Sequence, residues 1–278
     1  MELYAGTSGF SYPEWRGPFY PADLPDAQLL AYYADRLRTV EINNTFYRMP
    51  RAEMLARWAE RVPDGFRFVL KAPQRITHKS RLEGTADAVA YLWRTASSLG
   101  GRVGPLLFQL PPYQRADVER LRRFLGELPV GMQAAFEFRH ASWNQPEVMD
   151  VLRDAGCALC AADSDPPAEP VPPERLPRGS TEDAAIEPHS EPDPGDSPMV
   201  ATADFGYLRL RRASYTDAEL DAWISRIRTE GRRWREVYVF FKHEDAGAAP
   251  AMAARMNARF AAAAPFARPG AETSPRWR

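Results

Sequence analysis

The sequence lacks long apolar runs, a basic amino-terminal segment and a large net charge of either sign. No stretch of its 278 residues approaches the roughly 20 apolar residues that a membrane-spanning helix needs. The first residues, MELYAG, have neither the basic region nor the apolar region of a signal peptide. The formal net charge of −1 argues against a protein that simply binds polyanions. We therefore expect a soluble, cytoplasmic protein without a membrane partner.

Cysteine is almost absent. Cys157 and Cys160, in the run CALC, are the only two, and their spacing is that of a redox motif or half of a zinc motif. Both lie in an apolar, strand-like segment, where residues three positions apart face opposite sides. We interpret them as small core residues, since free cysteine is commonly buried.

Motifs of several well-known enzyme classes are also missing. The first strand candidate is followed by GTSG and not by the G-x-G-x-x-G of dinucleotide-binding folds. The sequence has no phosphate-binding P-loop, no serine nucleophile elbow, and no His-x-His or His-Glu-x-x-His spacing for a metal. Function must therefore be inferred from the fold and from the placement of polar residues.

What the sequence does have is a regular alternation of strand and helix patterns. A hydrophobic content of 45% and an aromatic content of 12% are enough for a large core. The alternation predicts βα units and a parallel sheet, and eight units can close into a single (β/α)8 barrel of the TIM type. An open doubly wound sheet is the structural alternative. The predicted strands are residues 3–7, 39–43, 66–71, 105–110, 133–139, 157–162, 205–211 and 236–242.

One stretch breaks the alternation after the sixth strand. Between Asp165 and Pro198 lie ten of the 26 prolines and nine acidic residues, against two arginines. We predict a flexible, acidic insertion at about 165–200 within a barrel domain of residues 1–264, followed by a loose tail at 265–278. Without the insertion the chain has 34 basic and 28 acidic residues, so its ordered part is mildly cationic.

Polar side chains gather at the carboxyl ends of the predicted strands. In TVEINNTFYRMP, residues 39–50, Val40 and Ile42 face one side, while Glu41 and Asn43 face the other. A carboxylate in a buried strand is unfavourable unless it has a role there. In a barrel these strand ends converge on the mouth where barrel enzymes keep their active sites. The alternation places Glu41, Lys71, Glu137 and Arg209 on the inward face.

Seven segments stand in a fixed order along the chain: GTSGFSYPEWRGPFYP, TVEINNTFYRMP, FVLKAPQRITH, FQLPP, AFEFRHASW, CALCAADSD and TADFGYLRLR. Together they resemble the YecE-like family, known as domain of unknown function 72, over about residues 3–242. The resemblance implies a (β/α)8 barrel and no established activity. The recurrent polar positions of the family correspond to Glu41, Asn43, Tyr47, Lys71, His78, Gln109, Glu137, Arg139, His140, Asp163 and Arg209.

The chain departs from the family pattern in two places. Where many members have YxRLHG, it has YLRLRR, so Arg211 and Arg212 replace a histidine and a glycine. Where many members have two asparagines after the eighth strand, it has Lys242, His243 and Glu244. These departures predict a more cationic mouth.

The residues favour an enzyme that uses acid/base carboxylates and a cationic mouth on a small anionic substrate, of the sugar or phosphate ester class. Glu41 and Glu137 come from strands two and five, so their carboxyls could flank a bound group. With Lys71, they are the predicted catalytic residues of a hydrolase, lyase or isomerase. The alternative is a set of ion pairs that merely keeps the barrel closed. The predicted substrate-binding residues are Asn43, Tyr47, His78, Gln109, Arg139, His140, Asp163, Arg209 and Arg211.

Two other functions stay open. A phosphoesterase or isomerase could hold a divalent metal with Glu137, Asp163, His140 and His243, although the basic side chains of the mouth oppose a cation. No other cofactor is predicted. A non-catalytic protein could instead bind a nucleotide or a nucleic acid through the cationic mouth, with aromatic side chains stacked on the bases.

Overall fold

The fold is a closed barrel of eight parallel strands, seen in a computed structural model that describes residues 1–48, 50–164, 197–242 and 247–263. Each strand pairs with the next one along the chain, and the last pairs with the first. Closure excludes the open doubly wound sheet, so the predicted TIM-type barrel is confirmed. The strands are β1 (Glu2–Ser8), β2 (Thr39–Ile42), β3 (Arg67–Lys71), β4 (Val103–Gln109), β5 (Ala134–Glu137), β6 (Ala158–Asp163), β7 (Phe205–Leu210) and β8 (Glu236–Phe241).

Helices surround the barrel, and none in the described part of the chain is both long and apolar enough to cross a membrane. The described α-helices are α1 (Leu29–Ala34), α2 (Ala52–Ala59), α3 (Ala86–Ala96), α4 (Val118–Gly126), α5 (Pro146–Asp154), α6 (Asp217–Glu230) and α7 (Ala248–Ala262). Two of them begin at side-chain caps: Thr216 and Glu219 form a capping box before α6, and Asp117 accepts the backbone N–H of Arg120 at 2.9 Å before α4.

The predicted insertion and tail fall largely outside the described residues. The last few residues of the insertion range are described. There the backbone N–H of Ser197 donates to the carbonyl of Ala162 at 2.9 Å, and Met199 is buried. The chain therefore returns beside β6 at Ser197 and continues toward β7.

Strand alternation divides the buried apolar side chains into an outer core beneath the helices and an inner core within the barrel. Cys157 belongs to the outer core and Cys160 to the inner one, and both are free thiols, which agrees with their interpretation as core residues on opposite faces of a strand. Burial raises the pKa of Cys157 to about 12, which makes it unreactive. The inner core consists of Tyr4, Val69, Leu107, Ala135, Ala158, Cys160, Phe205, Tyr207, Tyr238 and Phe240.

The first two strands approach each other closely at Gly6. A Cβ atom at this position would lie 2.0 Å from the carbonyl oxygen of Thr39, so only glycine fits. The same pairing places Ser8 opposite Glu41 at the carboxyl end of both strands. The close approach of the two strands at Gly6 therefore accompanies the register that brings Ser8 and Glu41 together at the mouth.

Candidate functional site

Two buried carboxylates, from β2 and β5, share one arginine from β7. Arg209 donates through Nη2 to Oε1 of Glu41 at 2.9 Å and through Nη1 to Oε2 of Glu137 at 2.8 Å. The side chains of Glu41, Glu137 and Arg209 are 0%, 1% and 2% exposed. Buried charges of this kind persist only when they are paired and hydrogen-bonded. We call these three residues the carboxylate–arginine bridge, and the structure joins in it three of the residues predicted to face inward.

Glu137 has two further donors. Nε2 of Gln109 donates to its Oε2 at 3.0 Å, and Nη1 of Arg211 donates to its Oε1 at 2.8 Å. Burial raises the pKa of this carboxyl, but the charges of Arg211, Arg209 and Arg139 together lower it well below its usual range. Glu137 is therefore ionised at neutral pH, where it orients arginines and has no proton to give.

Glu41 is held by two residues that the sequence did not single out. Oγ of Ser8 donates to its Oε1 at 2.7 Å, and the hydroxyl of Tyr207 donates to its Oε2 at 2.5 Å. Burial and the charge of Glu41 raise the pKa of Tyr207 far above its usual range, so the phenol remains a donor. A signal was present, because Tyr207 lies two positions before Arg209 and so faces the same way.

At the end of β3, the strand next to β2, Lys71 contacts the same aromatic ring as His78, which lies in the turn after this strand. Nζ of Lys71 lies 4.3 Å from the centroid of Phe46, and the imidazole of His78 lies 4.8 Å from it. Nδ1 of His78 is 2.8 Å from the hydroxyl of Thr77. Burial, together with the charges of Lys71 and Arg139, lowers the pKa of His78 to about 4. His78 is therefore a neutral imidazole at neutral pH.

Three other predicted residues lie in the segments that follow β2 and β5. Asn43 is buried directly after β2, and Tyr47 is exposed four positions later. Arg139 is buried after β5, close enough to Glu137 and His78 to lower the pKa of both. The loops therefore bring Arg139 from one side of the barrel and His78 from another to the same mouth.

His140 has a local partner in the β5–α5 loop. Its Nδ1 accepts the backbone N–H of Ser142 at 3.1 Å and lies 2.9 Å from the hydroxyl of the same residue. Because a backbone N–H can only donate, Nδ1 is the unprotonated nitrogen and Nε2 carries the proton of the neutral ring.

Asp163 lies apart from the carboxylate–arginine bridge. Its carboxylate accepts from Nε of Arg212 at 2.8 Å and from the hydroxyl of Tyr215 at 3.1 Å. Both donors belong to the segment between β7 and α6. Its neighbour Ala162 pairs with Arg209, an inward-facing residue, so alternation turns Asp163 toward the helix layer. The structure thus places this predicted ligand on the outer side of the strand.

The divalent-metal hypothesis names four ligands, and one of them, His243, lies outside the described residues. Within residues 1–48, 50–164, 197–242 and 247–263, no three histidine, cysteine, aspartate or glutamate side chains come together in a way that could hold a metal ion. Glu137 bonds arginines, Asp163 faces the helix layer, and His140 bonds its own loop.

A closed (β/α)8 barrel that collects charged side chains at the carboxyl ends of its strands belongs to a class of fold in which these ends carry the chemistry. The chain itself belongs to the family described as "Protein of unknown function DUF72", which matches residues 4–276. The resemblance predicted from the seven segments is thereby confirmed.

The relatives support the same assignment. UPF0759 protein YecE of Escherichia coli K12 is 32% identical over 139 residues, a match that covers 50% of this chain and only 48% of that relative. UPF0759 protein YunF of Bacillus subtilis is 22% identical over 261 residues, covering 88% of this chain and 90% of that protein.

Solved structures show the same fold. The crystal structure of a DUF72 family protein from Thermotoga maritima superposes with a TM-score of 0.73 at 26% identity, covering 94% of this chain and 100% of the other. A DUF72 family protein from Enterococcus faecalis gives 0.65 at 18% identity, with 94% and 98% covered.

Proposed function

We propose that the barrel mouth binds a small anionic substrate, of the sugar phosphate or phosphate ester class, and converts it by acid–base chemistry. The observation that carries the proposal is the set of buried charges at the carboxyl ends of β2, β3, β5 and β7. Two carboxylates there are accompanied by four cations: Lys71, Arg139, Arg209 and Arg211. Such a set suits a phosphate or carboxylate group, which guanidinium and ammonium groups bind through charge-assisted hydrogen bonds.

Two titratable groups support a positive potential in the mouth. The pKa of Glu137 is lowered by three arginines in spite of its burial, and the pKa of His78 is lowered by Lys71 and Arg139 in addition to burial. In both residues the nearby cations favour the deprotonated form, which is the carboxylate of Glu137 and the neutral imidazole of His78. The same potential would stabilise a bound anion.

We propose different tasks for the predicted residues. Arg139 and Arg211 are the proposed anion ligands, because a guanidinium forms planar, paired hydrogen bonds to phosphate or carboxylate oxygens. Glu137 is a positioning residue, since its lowered pKa makes it a poor proton donor. Glu41 and Lys71 stay the predicted catalytic residues. We add His78 as a proton acceptor, because a bound anion would offset its cationic neighbours and raise its pKa toward neutrality.

Binding of ribose phosphate, compared with ribose, tests the anionic part of the proposal. Calorimetry with the full chain should detect the phosphate and not the neutral sugar. Arg139→Gln should weaken binding about 10- to 150-fold, because a hydrogen bond to a charged group contributes about 1.5–3 kcal/mol. The matched control is Arg226→Gln on the exposed face of α6, where Arg226 bonds Glu230 at 3.1 Å. This variant should bind as the wild type does.

Two results would contradict the proposal. One is equal binding of ribose and ribose phosphate, which would make the cations irrelevant. The other is unchanged phosphate affinity in Arg139→Gln with near-ultraviolet circular dichroism that matches the wild type. Retention of a native spectrum is needed, because Arg139 also acts on the buried Glu137.

A further inference from the structure

A cavity of about 470 Å³ lies beside the mouth. Its walls are the loop that follows β2, the π-helical turn Arg75–Lys79 that follows β3, and the first two turns of α3. Neither the acid–base chemistry nor the anion ligands proposed above use this space. Its size is within the range of pockets that take small organic ligands.

A single aromatic ring stands between this cavity and the cations of the mouth. Phe46 lines the cavity, and the same ring lies 4.3 Å from Nζ of Lys71 and 4.8 Å from the imidazole of His78. An anionic group beside Lys71 is therefore separated from the cavity by little more than the thickness of one ring. One small ligand can occupy both places if it joins an anionic group to a second moiety.

The lining of the cavity indicates what that moiety is. Tyr47 and Tyr91 are among the few large apolar side chains exposed on the described surface, at 43% and 44%, and both line this cavity. Tyr47 packs edge-on against Phe46, with the ring centroids 5.0 Å apart. Aromatic side chains arranged around a cavity offer faces on which a flat ring can stack. Gln74 and Asp87 supply donor and acceptor groups for the edge of such a ring.

The loop that forms one wall is held in an uncommon conformation. It contains the π-helical turn. Shortly after this turn, Arg81 and Leu82 have positive φ angles of 49° and 69°. A bulky residue such as Leu82 rarely adopts a positive φ, and this one is buried. Conformations of this kind persist where the surrounding structure enforces them, and they cluster at ligand sites. The same turn carries His78, so it shapes the cavity and the mouth together.

We propose that the ligand of this barrel is a nucleoside monophosphate or a close relative, with its phosphate among the cations of the mouth beside Lys71 and its base in the cavity lined by Tyr47 and Tyr91. This inference rests on the proposed function, since it takes the anion site as given and adds the flat ring. Arg75 and Lys79 line the same cavity and add positive charge at its rim.

The test compares adenosine monophosphate, ribose phosphate and adenosine as calorimetric ligands of the full chain. Stacking of the base should make the nucleotide bind about 5- to 150-fold more tightly than ribose phosphate. Tyr91→Ala should remove this advantage and leave the affinity for ribose phosphate unchanged. Tyr113→Ala is the matched control, because Tyr113 is 57% exposed in the loop after β4 and does not line the cavity. It should bind both ligands as the wild type does.

The outcomes separate this inference from the function on which it rests. If ribose phosphate binds as tightly as the nucleotide, and Tyr91→Ala changes neither, the cavity is not a base site, while the anion site stands. If none of the three ligands binds, both proposals fall. Adenosine that binds as tightly as the nucleotide would overturn the assignment of the phosphate to the mouth. A single-stranded oligonucleotide that binds far more tightly than the mononucleotide would overturn the small-ligand assignment.

Discussion

Replacing Arg209 by methionine should test whether the carboxylate–arginine bridge is a set of buried ion pairs. Methionine fills similar space but carries no charge and no donor. The substitution removes the hydrogen bonds of 2.9 Å to Glu41 and 2.8 Å to Glu137. Both carboxylates are then left in a site where they are 0% and 1% exposed.

The expected loss can be estimated from the partners that remain. Removing one member of a buried ion pair costs about 3–5 kcal/mol, because the other charge is left without compensation. Glu137 keeps Arg211 and Gln109, whereas Glu41 keeps only uncharged donors among its hydrogen bonds described above. We therefore expect about 3 kcal/mol, most of it from Glu41. For a chain of this size that corresponds to a melting temperature lowered by roughly 6–12 °C.

Urea and thermal unfolding followed by circular dichroism would measure the loss. The matched control is Arg235→Met, because Arg235 is well exposed and its contact with Asp204 is a 3.4 Å surface pair. That variant should change stability by less than about 0.5 kcal/mol. The double variant Glu41→Gln, Arg209→Met should recover part of the loss, since a neutral amide needs no cation. A loss in Arg209→Met below about 1 kcal/mol would refute the reasoning, because no uncompensated buried charge could then be present.

Four further predictions concern pH and backbone packing. Because burial and the charges of Lys71 and Arg139 hold the pKa of His78 near 4, against an ordinary value of 6.5, the unfolded chain binds more protons between these values. The free energy of unfolding should therefore fall by on the order of 1–2 kcal/mol as the pH is lowered through that window, a figure discounted for the partial exposure of His78. In urea titrations at several pH values, His78→Gln should remove this pH dependence. The lowered pKa of Glu137 stabilises the fold above pH 4.5 and loses this effect as the pH falls below it, so Glu137→Gln should flatten the stability profile at acid pH. In nuclear magnetic resonance titrations, Lys71→Met should raise the pKa of His78, and an unchanged value would show that Lys71 does not act on it. Gly6→Ala should destabilise by about 3 kcal/mol or more, while Gly126→Ala, where a Cβ meets nothing within 4 Å, should be neutral or mildly stabilising in thermal unfolding.

The barrel could be predicted from the sequence because its signals are local and repeated. Most strands show either the period of two or a short apolar run, and every strand except the sixth is followed by a helical pattern, so repeated weak signals agree on one topology. The same period predicted that Glu41, Glu137 and Arg209 face inward, and the structure joins them by hydrogen bonds. The predicted strand ends differ from the observed ones by at most two residues, since propensity does not define where pairing stops.

The pairings within the mouth could not be predicted, because they join residues that are far apart in the chain. Arg209 and Glu41 are separated by 168 positions. No local pattern indicates that Tyr207 bonds Glu41. The direction of the Asp163 side chain was also not predicted. Like the other polar residues, Asp163 ends an apolar strand, but side chains alternate along the strand and this one points to the outer side, where it bonds Arg212. The cavity beside Phe46 depends on a π-helical turn and on positive φ angles that the sequence does not indicate.

The two ends of the barrel interior provide a last argument about the mouth. Toward the amino-terminal ends of the strands, the interior is filled by stacked aromatic rings such as Tyr4 and Tyr238, whose centroids are 5.1 Å apart. This chain can therefore fill its barrel with aromatic and aliphatic side chains. A buried ion pair stabilises no better than well-packed apolar residues of similar volume, and often less well. If the bridge of Glu41, Arg209 and Glu137 served only to close the barrel, an apolar layer would do the same at lower desolvation cost. The charges are placed at the one end where barrel enzymes bind substrates, and this contrast supports an anion-binding role over a purely structural one.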